Sequence, residues 1–262
     1  MKQVTAQVLS NERVLEYTGA AYYLMCARAP EIASGSRPGQ FIMLKCGDDA
    51  LLRRPISLHS VSADGTVELL YALRDGKGLQ WLSGVEKGSM LDLLGPLGNG
   101  FSLAPRAGNL LLVAGGIGIA PLKFLAEKAL AAGSKVTLLM GAHTEAGIYP
   151  ERLLPAAAVK VVCTDNGSLG KKCTVNDLIP DHLAWADRIY ACGPQAMFQS
   201  ISAQMNTWPV QKPVEVSLEV RMGCGTGVCY SCTIKTRRGL SRVCKEGPIF
   251  NIKDIIWQEV RL

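Results

Sequence analysis

The chain has 262 residues, 48% of them hydrophobic and 19% charged, enough material for two or three domain cores. Its net charge of +6 is modest and no lysine or arginine run exceeds a pair, so composition gives nucleic-acid binding no support. No apolar run approaches the ~20 residues that cross a bilayer, and MKQVTAQVLSNERVLEY at the amino end has no apolar export core, so the expectation is a cytoplasmic protein without membrane contact.

Residues 1–101 read as an all-β module. VTAQVLSNERV, AAYYLMCARA, QFIMLKC, ISLHSVS and TVELLYALR are short, rich in branched and aromatic residues, and separated by Gly, Pro, Asp and Ser clusters, the pattern of a small antiparallel β-barrel. Arg54, Pro55, Ile56 and Ser57 follow Arg53 here. A guanidinium beside a rigid proline, then a hydroxyl on an extended strand, offers a fork for a phosphate oxygen and a short partner for a flavin ring. A solvated turn explains the same four residues as well. Tyr71 lies in a strand that leads through Arg74, Asp75, Gly76, Lys77 and Gly78 into a helical LQWLSGV pattern. Gly78 there either frees backbone N–H groups for a pyrophosphate or makes an ordinary turn. Leu94 to Phe101, LGPLGNGF, reads as a connector that ends the module.

Residues 102–212 change texture. LLLVAGGIGIAPLKFLAEKALAAG is an apolar strand, a glycine turn and a crossover helix, and further strands fit Lys135–Met140, Val159–Thr164 and Arg188–Ala191. VNDLI and PQAMFQSISAQM read as helices, and the alternation is that of a doubly wound α/β sheet. Gly115, Gly116 and Gly118 permit close approach of a pyrophosphate to a helix N-terminus, and Pro121 costs little near the first turn. Packing of helix on sheet is the bland account. Cys192, Gly193 and Pro194 end a later strand and face the same crevice, although a cysteine in that position also suits plain packing. Thr164 to Ser168 form a third such turn.

Residues 213–262 carry Cys224, Cys229, Cys232 and Cys244, separated by four, two and eleven residues. This is the C-x4-C-x2-C…C spacing of plant-type [2Fe-2S] ligation, with Gly223, Gly225 and Gly227 shaping a tight loop that brings amides towards sulfur. Zinc favours paired C-x2-C knuckles, of which there is one; disulfide frameworks belong to small secreted chains; inert buried cysteines seldom cluster so densely. Cys26, Cys46, Cys163, Cys173 and Cys192 are scattered singly and read as reduced thiols. The apolar tail, with Ile249, Phe250, Ile255, Ile256 and Trp257, is expected to cover the cluster or a subunit interface.

RPIS in a barrel, AGGIGIAP and CGP in an α/β unit, and a closing C-x4-C-x2-C-x11-C together resemble the ferredoxin-reductase superfamily over essentially the whole chain. RRPISL, LLGPLGNGF and the module order are similar, more narrowly, to the electron-transfer subunits of class 1B dihydroorotate dehydrogenases. The resemblance implies FAD held by Arg54, Pro55, Ile56 and Ser57, lined by Leu70, Tyr71 and Ala72, with its phosphates on Gly78 and Leu79. The family has Gly-Thr where this chain has Gly78-Leu79, so only the amides serve there. It implies NAD(H) on Gly115, Gly116, Gly118, Pro121, Cys192, Gly193 and Pro194, and a [2Fe-2S] cluster on the four C-terminal cysteines. His143 stands where relatives often have arginine, which favours NADH over NADPH. No catalytic side chain is implied: hydride passes between nicotinamide and flavin, and single electrons pass between flavin and cluster. The implied partner is an FMN-containing dihydroorotate dehydrogenase catalytic subunit, in a heterotetramer of two plus two serving pyrimidine biosynthesis. Two alternatives remain open. One is the reductase subunit of another complex, a sulfhydrogenase or a bifurcating NADH-ferredoxin:NADP oxidoreductase; the other is a non-catalytic zinc-binding interaction module.

Overall fold

The structure is a computed structural model and describes residues 1–17, 19–48, 50–73, 76–103 and 108–260; Arg74 and Asp75 of the expected phosphate turn lie outside the described residues. The strands β1 (Lys2–Tyr17), β2 (Ala20–Arg28), β3 (Phe41–Leu44), β4 (Arg54–Val61), β5 (Thr66–Leu73) and β6 (Met90–Leu97) close into an antiparallel barrel in the order β1-β2-β5-β4-β3-β6. Closure pairs β1 and β6 and so removes the free edges that an open sheet would leave. Two short helices, α1 (Pro30–Ala33) and α2 (Lys77–Ser83), sit on its connections.

The expected connector from Leu94 to Phe101 is corrected in its first half. Leu91, Leu93 and Leu97 are buried at alternate positions, so the period-two pattern of β6 continues through Gly95 and Pro96. Pro96 is tolerated because it falls at a register shift, where Phe41 pairs with Leu97 but Met43 with Leu94.

The second sheet contains β7 (Asn109–Gly115), β8 (Lys135–Ala142), β9 (Val159–Thr164), β10 (Lys171–Lys172), β11 (Arg188–Cys192) and β12 (Val214–Ser217). After a separate hairpin of β13 (Thr233–Thr236) and β14 (Gly239–Arg242), β15 (Ile249–Asn251) returns to that sheet. The order is β10-β9-β8-β7-β11-β12-β15, parallel except for the last pair. Alternate residues of β7 feed two cores: Leu110, Leu112 and Ala114 pack under α3 (Ile119–Ala131), while Leu111 and Val113 pack with Met197, Phe198 and Ile201 of α4 (Gln195–Gln204). That is the doubly wound arrangement. The helix expected at VNDLI is a single 3-10 turn, Val175–Leu178, capped by Thr174 and Asp177.

The sheet thus runs past residue 212, taking its last two strands from sequence that flanks the cysteines. Part of the tail packs into the same buried core as Cys232 and Cys244. Ile255 and Trp257 are buried in the chain's own core, with the Trp257 ring stacked 5.4 Å from Phe198.

Barrel and sheet are joined by a polar seam. Lys123 of α3 lies 2.8 Å from both Glu68 of β5 and Glu127, and Ser60 of β4 donates to Glu127. His59 beside it is fully buried between Ala120 and Tyr149. Among the described residues no helix is long and apolar enough to cross a membrane.

Candidate functional site

A cleft of about 630 Å³ opens where barrel, sheet and cysteine module meet, a volume typical of cofactor sites. Its barrel wall is Arg54, Pro55, Ile56 and Ser57 of β4, Leu70, Tyr71 and Ala72 of β5, and Leu79 of α2. Gly78 lies beside the Arg54 guanidinium. The twin arginines divide their work. Arg53 makes a forked pair with Asp92, at 2.6 and 3.0 Å, and holds that carboxyl below the usual carboxylate range. Arg54 donates to the Leu52 carbonyl at 2.9 Å, and among the described residues no carboxylate pairs with it. One guanidinium is left to face an anion in the cleft, which fits a flavin diphosphate. Tyr71 is fixed by a stack on Tyr23, 5.5 Å away, and by a hydrogen bond to Asn11.

The glycine loop after β7 and the turn after β11 pack on each other beside this cleft. Gly118 lies so close to the Cys192 carbonyl that any Cβ there would overlap it, and Gly115 packs against Pro194 and Met197. Pro121 is buried in the first turn of α3. Ile117 and Ala120, from the same loop and helix, form part of the cleft lining. Gly115 and Gly118 thus pack directly on Cys192, Gly193 and Pro194, with Gly116 and Pro121 in the same loop and first turn, and the loop reaches the cleft bounded by Arg54–Ser57 through Ile117 and Ala120. The turn from Thr164 to Ser168 is not among them; it stands farther along the sheet, with Asp165 3.3 Å from His143.

A third wall was not foreseen. Ser217, Leu218, Glu219, Val220, Arg221 and Met222 line the cleft between β12 and the first cysteine. A sequence signal existed: a flavin and a cluster that exchange electrons need a shared wall, and VSLEVRM immediately precedes the cysteine loop. Glu219 places a carboxylate oxygen 3.9 Å from the Cys192 sulfur. Burial pushes the Cys192 thiol well above its ordinary value and the Glu219 charge adds to this, so Cys192 is a neutral thiol at neutral pH.

The cysteine loop is built to hold negative sulfur. The amides of Thr226, Val228 and Cys229 point at Cys224 Sγ from 3.4, 3.3 and 3.4 Å. Burial opposes ionisation of Cys224, but hydrogen bonds from the backbone and side chains of Cys229 and Thr226 outweigh it and bring its pKa down to about 5. Gly225 adopts φ +72° and presses on Met43 of β3, leaving no room for a side chain. Tyr230 also takes a left-handed φ, 59°, under the Arg242 guanidinium. The thiols meet as two pairs, Cys224 with Cys229 and Cys232 with Cys244. Among the described residues no three His, Cys, Asp or Glu side chains gather as a single ion would need. Four cysteines at this spacing are the donor set of a dinuclear iron core.

The string after β6 clamps this module to the barrel. Asn99 donates its side-chain amide to the Glu246 carbonyl at 2.9 Å and its backbone N–H to Gly247 at 2.6 Å, while Gln40 holds Gly98 at 2.7 Å.

A closed flavin-type barrel, a doubly wound nucleotide sheet and a four-cysteine loop around one cleft define an oxidoreductase subunit of the ferredoxin-reductase type. Residues 219–256 match the iron-sulfur cluster binding domain of dihydroorotate dehydrogenase B, and residues 112–203 match the oxidoreductase NAD-binding domain. The chain is 40% identical over 246 residues to the dihydroorotate dehydrogenase B (NAD(+)) electron transfer subunit of Desulforamulus reducens, covering 90% of this chain and 93% of that one. It is 36% identical over 254 residues to the Bacillus caldolyticus protein of the same description, covering 91% and 97%. A solved NADH-dependent reduced ferredoxin-NADP oxidoreductase, studied for flavin-based electron bifurcation, superposes with a TM-score of 0.84 at 27% identity, covering 96% of this chain and 90% of that one. The chain belongs to the family of dihydroorotate dehydrogenase B electron transfer subunits.

Proposed function

We propose that this chain passes electrons between NAD(H) and a partner dihydroorotate dehydrogenase catalytic subunit, using residues 1–101 for FAD, 102–212 for NAD(H) and 213–262 for a [2Fe-2S] cluster. The observation that carries this reading is the shared wall: Ser217–Met222 lines the cleft and runs directly into Cys224, so the flavin and cluster positions are separated by one stretch of backbone. When bound, flavin and cluster supply the conversion between two-electron and one-electron transfer.

The chain's own residues bind and orient. Arg54 takes the flavin diphosphate, with the Gly78 and Leu79 amides beside it; Ser57 and Leu70–Ala72 flank the ring. The amides of Gly115, Gly116 and Gly118 take the dinucleotide pyrophosphate at the start of α3, where the helix dipole adds to them. Pro121, Gly193 and Pro194 close the crevice, and Cys192 with Glu219 stands where the nicotinamide meets the flavin. Cys224, Cys229, Cys232 and Cys244 hold the two irons, and the amides on Cys224 favour the charged thiolate.

The partner carries the dihydroorotate chemistry; we place FMN there and assign a two-plus-two assembly working in the cytoplasm. The likeness to the bifurcating oxidoreductase supports a second reading, in which the same three modules serve another redox complex. Co-purification of the partner separates the two. The test of the electron path is anaerobic titration with NADH, followed by visible absorption and EPR. Flavin bleaching with a rhombic signal from a reduced [2Fe-2S] centre is expected; absence of both would reject the assignment.

A further inference from the structure

Arg242 joins all three segments that separate the four cysteines; this inference rests on the [2Fe-2S] reading of those cysteines. The side chain leaves the end of β14, and its Nη1 donates to the Gly227 carbonyl at 2.9 Å, between Cys224 and Cys229. Its guanidinium lies 5.0 Å from the centre of the Tyr230 ring, between Cys229 and Cys232. Cys244 follows two residues on, and the Val243 amide bonds the Cys232 carbonyl at 3.0 Å, so the same strand end delivers the last thiol. One charged group therefore spans the loop that carries three of the thiols and the arm that brings the fourth.

The fork of Arg242 is taken by Glu246. Nη2 and Nε lie 2.6 and 3.2 Å from its two carboxylate oxygens, and the Arg242 backbone N–H donates to the same carboxylate at 2.7 Å. Glu246 is held in turn: its amide bonds the Arg242 carbonyl at 2.9 Å, and its carbonyl accepts from the Asn99 side chain at 2.9 Å. The two side chains are 21% and 39% exposed, partly withdrawn from solvent screening. Two other ion pairs of the module, Arg238 with Asp254 and Lys235 with Glu259, join the hairpin to the tail instead. We propose that Arg242 and Glu246 form a charge couple that sets the reduction potential of the cluster. One electron from the reduced flavin makes the cysteine-bound core one unit more negative; a fixed cation beside it favours that state and a fixed anion opposes it. Intact, the couple is neutral. Removing either half leaves the charge of the other uncancelled beside the thiolates.

The test is a potentiometric titration of the holoprotein followed by EPR, with iron and flavin per chain measured on the same samples. Arg242→Gln leaves the Glu246 charge alone and should lower the potential; Glu246→Gln leaves the Arg242 charge alone and should raise it. Each shift is expected at about tenfold in the one-electron equilibrium, or about 59 mV. Arg242→Lys keeps the charge, and Arg238→Gln removes the same charge from the exposed hairpin, so both should stay within about twofold of wild type. A purely structural clamp would not give shifts of opposite sign. The inference stands only on a fall in Arg242→Gln and a rise in Glu246→Gln or, should one of them fail to hold iron, on the expected sign in the other. Shifts of one sign, a shift within about twofold in either loaded variant, loss of iron from both, or a shift in Arg242→Lys or Arg238→Gln as large as in Arg242→Gln overturn it and leave the iron assignment standing. A wild type without iron overturns both.

Discussion

His59 Nε2 lies 2.9 Å from the Tyr149 hydroxyl, and the opposite ring nitrogen lies 2.8 Å from the Ala120 carbonyl in α3. A carbonyl only accepts, so Nδ1 carries the proton and Nε2 accepts from Tyr149. Barrel, crossover helix and the segment after β8 thus meet on one neutral imidazole. Burial, then the nearby Lys123 charge, push its pKa down to about 3 from an ordinary value of 6.5.

That depression predicts a pH dependence. Between about 6.5 and 3 the unfolded chain protonates this histidine and the folded chain does not, so the unfolded state binds more protons and stability falls as pH falls through the window. The loss approaches ~1.4 kcal/mol per pH unit at its steepest. Urea midpoints at pH 7, 6 and 5 should show the decline, and His59→Gln should flatten it. A variant with the wild-type slope would remove His59 as the source.

Lys123 gives a second prediction. Its side chain is 9% exposed and pairs at 2.8 Å with Glu68 and Glu127. Lys123→Ala leaves two carboxylates facing each other across the seam between barrel and α3, and should cost about 3 kcal/mol in chemical denaturation. A loss under about 0.5 kcal/mol would mean that the seam is solvated like a surface pair.

The two arginines of β4 and its approach should separate cleanly. Arg54→Ala should weaken FAD retention by about 1.5 to 3 kcal/mol, the worth of a charged hydrogen bond, with little change in melting temperature of the apoprotein. Arg53→Ala breaks the fork to Asp92 and should act on stability first. Flavin-to-protein ratios after gel filtration decide the matter; normal flavin content in Arg54→Ala would move the phosphate elsewhere.

In the cysteine loop, Cys229→Ser should remove or shift the cluster absorption while FAD stays bound and NADH oxidation by an artificial two-electron acceptor continues. Gly225→Ala should give the same separation by another route, because its Cβ would strike Met43 and the loop could not sit on the barrel. Full iron content in Gly225→Ala would show that the loop can relax away from β3.

Much of this was legible in the chain because it is carried by local chemistry. Alternating Leu, Val and Tyr marked the barrel strands, continuous apolar runs marked the parallel ones, and four cysteines at metal spacing marked the loop. The misreadings share a cause, which is that the deciding contact is distant in sequence. Pro96 looks like a breaker until β3 supplies the register shift that accommodates it. Trp257 finds its stacking partner, Phe198, only in the fold. Glu219 carries no motif of its own, and only the fold sets it beside Cys192.

The pairing of Ser217 with Ile249 has a consequence for how such a chain can be taken apart. The iron-bearing stretch leaves the sheet at one strand and re-enters at its immediate neighbour, so its two ends stand about 5 Å apart. It is a closed excursion from a reductase that is otherwise continuous. Emptying the loop of metal should loosen only that excursion and leave a folded flavin and nucleotide unit beneath it.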